Sequence, residues 1–270
     1  MGRHPRRNEG KGWSPATHRG GRQAPKHGPA AAASDWVWGW HATLAALGNP
    51  LRGAPLRLVA TAERSRELAG RFPSLPAPEL ADAAEIARLL PQGAIHQGLA
   101  LKAAPIESLS LEELASPAQG VLVMLDHVTD PQNVGAIFRS AAAFGAKGVI
   151  VQDRHAPPLT GALAKAAAGA VDAVPHARVV NLSRALERLS DLGWRAVGLD
   201  GDAKEPLEKV LDGGPTVLVL GSEGEGLRRL VAEHCDALGR IPMPGGFESL
   251  NVSAAAAVAL YEAARAASKG

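Results

Sequence analysis

Three stretches of this 270-residue chain place polar residues directly after apolar, strand-like runs, where they could act on a ligand. The first is Asp126-His127-Val128-Thr129-Asp130-Pro131-Gln132-Asn133-Val134-Gly135-Ala136-Ile137-Phe138-Arg139-Ser140. Asn133 and Arg139 lie six residues apart, nearly two helical turns, and are expected on roughly similar sides of one helix. Gly135 and Ala136 leave room for a ligand or another backbone; a helix cap and a surface arginine would explain the same residues without one. The second stretch, Gly221-Ser222-Glu223-Gly224-Glu225-Gly226, invites a phosphate-cradle reading that its chemistry rejects. The glycine order is not that of a dinucleotide fingerprint, and no Lys-Ser or Lys-Thr follows. Two carboxylates also stand where a phosphate needs positive potential. Glu225 reads as a helix-dipole partner, and Glu223 as facing a polar or cationic ligand. The third stretch is Ile241-Pro242-Met243-Pro244-Gly245-Gly246-Phe247-Glu248-Ser249-Leu250-Asn251-Val252-Ser253. Either Ser249 or Asn251 can cap the helix that follows, which frees the other.

The elements that must hold these loops alternate. Val121–Leu125, Gly148–Val151, Arg195–Leu199 and Thr216–Leu220 read as buried strands. Helices are expected near Asn133–Phe144, Ala162–Ala168, Leu182–Leu192 (capped by Asn181), Leu227–Cys235 and Val252–Ala267. Continuous apolar strands alternating with helices imply a parallel sheet covered on both faces, with ligands beyond its carboxyl ends. A smaller α/β unit precedes it, from Asp35 to Ala103. Its strands are expected at Leu56–Thr61 and Gly98–Lys102, and its helices follow Trp40 and span Ser65–Phe72 and Leu80–Leu90. The expected boundaries are a tail at 1–34, the small unit at 35–103, a linker at 104–119 with a short acidic helix, and a large domain at 120–270.

Composition narrows the function classes. Hydrophobic residues make up 46% of the chain, enough for a core, and the single cysteine, Cys235, excludes a disulfide scaffold or a cysteine-based zinc cluster. A reducing, cytoplasmic setting is the default expectation, with no metal. No run approaches the roughly 18 apolar residues of a membrane span. Charge is uneven: residues 1–33 hold seven Lys and Arg against one acid, while the rest holds 22 basic and 26 acidic residues. The tail reads as disordered and would favour polyanions through counterion release. Trp36, Trp38 and Trp40 read as core packing rather than a base-stacking platform, and Cys235 as a small packed residue.

Taken together, these motifs resemble those of the SpoU/TrmH class of RNA 2′-O-ribose methyltransferases. Asn133-x-Gly135-x-x-x-Arg139-Ser140 resembles motif 1. Gly221-Ser222-Glu223-Gly224 with Ile241-Pro242-Met243 is similar to motif 2, and Ser249-Leu250-Asn251-Val252-Ser253 to motif 3. They occur in family order over about 150 residues. Trp38-Gly39-Trp40-His41-Ala42 and Ala94-Ile95-His96-Gln97-Gly98 are similar to the ends of a ribosomal-protein-L30-like domain, an arrangement of the bacterial 23S ribosomal RNA guanosine 2′-O-methyltransferase branch. Two departures stand out: His127 replaces a frequent Gly, and Gly246-Phe247-Glu248 is an unusual lead into motif 3.

The resemblance implies a SPOUT-type parallel sheet with a C-terminal trefoil knot, an L30-like RNA substrate-binding domain and a homodimer whose subunits share the active site. It implies S-adenosylmethionine, held by Leu199, Gly221, Ile241, Met243 and Leu250, as methyl donor to a guanosine ribose of 23S ribosomal RNA. Asn133, Arg139, Glu223, Ser249 and Asn251 would carry the chemistry. Because arginine is a very poor base, Arg139 is expected to hold phosphate and stabilise a developing alkoxide. The alternatives are the same chemistry on a tRNA loop guanosine, or a non-catalytic RNA-binding member of the fold.

Overall fold

The computed structural model describes residues 36–246 and 249–268. The basic tail expected at 1–34 lies outside the described residues, as do Phe247 and Glu248.

The N-terminal part is a four-stranded sheet in the order β1-β4-β2-β3, built from β1 (Trp36–Trp38), β2 (Arg57–Ala60), β3 (Glu79–Leu80) and β4 (Leu99–Lys102). Its helices are α1 (Trp40–Gly48), α2 (Ala62–Arg71) and α3 (Ala83–Leu89). Strand alternation covers both faces. Val37, Leu58, Ala60, Leu99 and Leu101 pack with Ala42, Ala46 and Leu68 of α1 and α2. Trp38, Val59 and Ala100 pack on the other face with Ile86 of α3. Side chains set the helix starts: Thr61 caps α2, and Asp82 with Glu85 forms a reciprocal capping box on α3. The three tryptophans pack as expected, with Trp38 buried and Trp36 and Trp40 half-buried against these clusters.

Residues 104–119, read as a linker, are packed instead. The short helix α4 (Leu111–Ala115) buries Leu114 and Ala115, Ala115 accepts a bond from Trp194 Nε1 at 2.9 Å, and Leu109 bridges to Ala177.

The larger sheet has six parallel strands: β5 (Val121–Leu125), β6 (Gly148–Gln152), β7 (His176–Val179), β8 (Arg195–Leu199), β9 (Thr216–Leu220) and β10 (Ala237–Gly239). Their order is β10-β8-β9-β5-β6-β7, with every pairing parallel. Helices α5 (Pro131–Ala143), α6 (Gly161–Ala167), α7 (Ala170–Ala173) and α11 (Val252–Ala267) cover one face, meeting Val123, Leu125, Leu218 and Leu220. α8 (Leu182–Asp191) and α10 (Arg229–Glu233) cover the other with α4, meeting Leu122, Met124, Val217 and Val219. The short α9 (Leu207–Val210) packs beside β10. β1, β3, β7, β10, α7 and α9 were not expected. β7 carries His176 and Arg178 in place of an apolar run, and the others span at most four residues, too short for a periodicity to show. α10 is shorter than the expected Leu227–Cys235, because Arg228 stays extended and sends its backbone N–H to Asp126.

The two parts pack into one compact unit. Arg52 and Asp172 form a buried ion pair, Nε to Oδ1 at 2.5 Å and Nη2 to Oδ2 at 3.2 Å. Arg52 Nη1 also donates to Ala104 O and Asn49 Nδ2 to Asp172 Oδ1. At Gly169, φ +97°, a Cβ would fall 2.7 Å from that of Ala45, so only glycine lets α1 approach there.

Candidate active site

The direction of chain progression reverses between β5 and β9: β6 and β7 extend the sheet to one side, β8 and β10 to the other. Loops leaving the carboxyl ends of two such strands diverge and open the crevice in which parallel sheets bind ligands. Asp126, fully buried at the end of β5, joins the two loops. Its amide donates to Leu220 O at 2.8 Å, and its carboxylate accepts from Arg228 Nε at 2.6 Å and Arg228 N at 3.0 Å. Sequence reasoning did not single out this pair; the one available signal was an aspartate directly after an apolar strand.

His127 follows with φ 55°. That is the left-handed region, where glycine costs least, which accounts for the Gly frequent at this position in the family that the motifs resemble. The His127 ring lies 4.4 Å from that of His155. Asp130 then caps α5, accepting from the N–H groups of Gln132 and Asn133, and Pro131 starts the helix.

Three residues from distant parts of the chain converge. Asn133 Nδ2 donates to Glu223 Oε1 at 2.9 Å, and Asn251 Nδ2 to the same oxygen at 2.5 Å. Asn251 Nδ2 also reaches Asn133 Oδ1 at 3.0 Å, and Val252 N points at Glu223 Oε1 from 3.5 Å. Asn251 is the cap of α11 as well: its Oδ1 accepts from Ser253 N and Ala254 N. One side chain therefore both caps and links, where two residues had been expected to divide those tasks. Ser249 is exposed and has no hydrogen bond among the described residues.

Two expectations need correction. Glu225 does not serve a helix dipole, because α10 begins four residues later and has no acid in its first turn. It is Glu223 that sits at a helix start, that of α11. Asn133 and Arg139 do share α5, but not a side: six residues at about 100° each turn Arg139 roughly 120° away and carry it about 9 Å along the axis. The Arg139 side chain is exposed and makes no hydrogen bond or ion pair among the described residues.

The residues expected to hold a cofactor start from neighbouring strand ends. Leu199 pairs with Gly239 and Gly198 with Val219, which sets Leu199, Gly221 and Ile241 at adjacent carboxyl ends of β8, β9 and β10. Leu199 and Ile241 are half-buried against the core; Met243 is half-buried and Leu250 exposed on the segment leading to α11. At Gly221 a Cβ would lie 2.1 Å from the carbonyl carbon of Gly226, so the loop folds directly over this residue. Apolar side chains around close-packed backbone suit a flat purine ring. No group of three or more acidic, His or Cys residues among the described residues could hold a metal.

The profile of the SpoU rRNA methylase family matches residues 120–261, more than half of the chain, and the chain belongs to that family. It is 44% identical over 176 residues to a 23S rRNA (guanosine-2′-O-)-methyltransferase of Pseudomonas aeruginosa, covering 63% of this chain and 71% of that one. It is 45% identical over 176 residues to an uncharacterized tRNA/rRNA methyltransferase of Mycolicibacterium vanbaalenii, of which it spans 56% of the length. Among solved structures it is similar to the SpoU methyltransferase AviRb of Streptomyces viridochromogenes in complex with AdoMet. The TM-score is 0.72 and the identity 27%, over 87% of this chain and 91% of that one. An AdoMet-bound rRNA methyltransferase of Sinorhizobium meliloti gives a TM-score of 0.71 at 26% identity, over 85% and 86% of the two chains.

Proposed function

We propose that this chain transfers a methyl group from S-adenosylmethionine to the ribose 2′-hydroxyl of a guanosine in 23S ribosomal RNA, in the cytoplasm. The observation that carries the reading is the meeting of Asn133, Glu223 and Asn251 at the crevice between β5 and β9. The likeness to the P. aeruginosa enzyme favours ribosomal RNA over tRNA.

Leu199, Gly221, Ile241, Met243 and Leu250 would hold the cofactor, which when bound supplies an electrophilic methyl group on a sulfonium. Asn133 and Asn251 present amides that orient the ribose, and Glu223 fixes both amides through one carboxylate oxygen. Ser249, exposed one residue before Leu250, would contact substrate. Arg139 holds the RNA phosphate and stabilises negative charge as the hydroxyl loses its proton; a guanidinium is too weak a base to take that proton itself.

Arg139 lies too far round α5 to join the Asn133 cluster of its own chain, which supports a site completed by a second copy. The surface beside it supports the same homodimer. Phe144 at the end of α5 and Tyr261 on α11 are both exposed, with rings 6.0 Å apart, and Val258 extends the patch. The N-terminal α/β unit would be the L30-like substrate-binding domain. The return of the chain from edge strand β10 to α11, packed against α5, would thread the trefoil knot.

The test is transfer of labelled methyl from S-adenosylmethionine to unmodified 23S ribosomal RNA. Label recovered as 2′-O-methylguanosine supports the reading. Label found only in tRNA moves the substrate, and no label in either RNA overturns the proposal.

A further inference from the structure

A cleft of about 520 Å³ lies between the N-terminal unit and the larger domain. Trp38 and the 91–95 loop form one wall; Pro158, Ala162 and Lys165 form the other. Its floor is Pro131 and Gln132, the residues directly before Asn133. We propose that this cleft binds an unpaired nucleoside of the RNA, next to the nucleotide that is methylated. The inference rests on the proposed function and adds to it a substrate subsite.

Size, surface and charge agree on this occupant. The volume falls in the range of pockets that take small organic groups. The walls are largely apolar, with Trp38, Ile95, Pro158 and Ala162 among the residues lining them, and Ile95 stands 72% exposed in the 91–95 loop. RNA-binding proteins hold unpaired bases against apolar and aromatic side chains and read their edges with polar groups; Gln92, Gln132 and Thr160 supply such groups here. Lys165 is the one charged residue of the lining. Its Nζ donates to Gln97 Oε1 at 2.8 Å and has no carboxylate partner among the described residues. An ammonium has three donors, so two remain for a base carbonyl or a phosphate, in a folded chain that is otherwise acidic.

The cleft is also held in shape. Gln97 Oε1 accepts from Trp40 N as well, at 2.9 Å. Gly39, φ +85°, leaves the space through which the Lys165 side chain passes: a Cβ there would lie 2.9 Å from its Cδ. The Arg52–Asp172 pair fixes the two walls relative to each other. A preformed cleft loses little freedom on binding, and its contact with the first turn of α5 passes the strand to Asn133.

The test measures binding of a fluorescein-labelled single-stranded oligoribonucleotide to the full chain by anisotropy, which needs no methyl transfer. Ile95→Glu introduces charge into the cleft, Ala162→Trp fills it without charge, and Leu51→Glu adds the same charge at an 83% exposed position outside it. Expected are a tenfold or greater rise in Kd for both cleft variants and less than twofold for Leu51→Glu, with melting temperature and S-adenosylmethionine affinity unchanged. Equal weakening by Leu51→Glu, or unchanged Kd in folded Ile95→Glu and Ala162→Trp, overturns the proposal. If the wild-type chain methylates no RNA while the cleft variants still weaken binding, the subsite stands and the methyl-transfer reading fails.

Discussion

Single residues in this protein carry two duties, and substitutions can separate them. Asn251 caps α11 through Oδ1 and links Glu223 and Asn133 through Nδ2. Removing a cap costs about 1 kcal/mol, so Asn251→Ala should lose that much in denaturant melts and most of its methyl transfer. Asn251→Ser, which can still cap, should recover the stability and not the transfer. Arg139 has the opposite profile. Because its exposed side chain makes no hydrogen bond or ion pair among the described residues, Arg139→Ala should leave the melting temperature and the calorimetric affinity for S-adenosylmethionine unchanged while abolishing transfer. His176 gives the residue-scale pH dependence. Burial, reinforced by Arg178, lowers its pKa to about 4 from 6.5, so it is neutral in the folded state. The unfolded chain binds the extra proton between those values. Stability is therefore full above about pH 6.5 and falls as pH drops toward 4, by up to about 3 kcal/mol. Melts across that window should show a shallower slope for His176→Gln.

Elements set the geometry that these residues use, and their legibility varied with length. Long apolar strands and helices such as β5, β9, α5 and α11 were readable because each covers two or more periods of its pattern. β7 and β10 were not, since partners on the neighbouring strands, rather than their own side chains, make them strands. The loop after β9 shows how little slack the site has. Gly221 lies under the backbone of Gly226 and Leu227, with gaps of 2.1 to 2.4 Å for an added Cβ. Gly221→Ala should therefore destabilise by about 1–3 kcal/mol, as overpacking does, and should weaken S-adenosylmethionine binding in a titration. A silent Gly221→Ala would show that the loop is free to move away.

At the scale of the molecule, the Arg52–Asp172 pair decides whether the two sheets act as one body. Both side chains are almost fully buried. Removing one partner of a buried pair leaves an uncompensated charge, at a cost of about 3–5 kcal/mol. Arg52→Ala should therefore lower stability by that order in denaturant melts. Arg52→Met with Asp172→Leu should recover much of it, because no lone charge remains. Neither residue had a sequence signal: they lie 120 positions apart.

The amino-acid sequence alone determined the alternation of strands and helices, the three polar loops at strand ends and the family to which they point. Those properties are local, written in periodicity and in motif spacing. Tertiary structure decided that Asn133 and Asn251 share one oxygen of Glu223, and that a cleft bounded by both domains opens beside the first turn of α5. Each of these depends on strand order and on how the helices pack, which bring to Asn133 residues that the chain itself keeps 90 and 118 positions away from it.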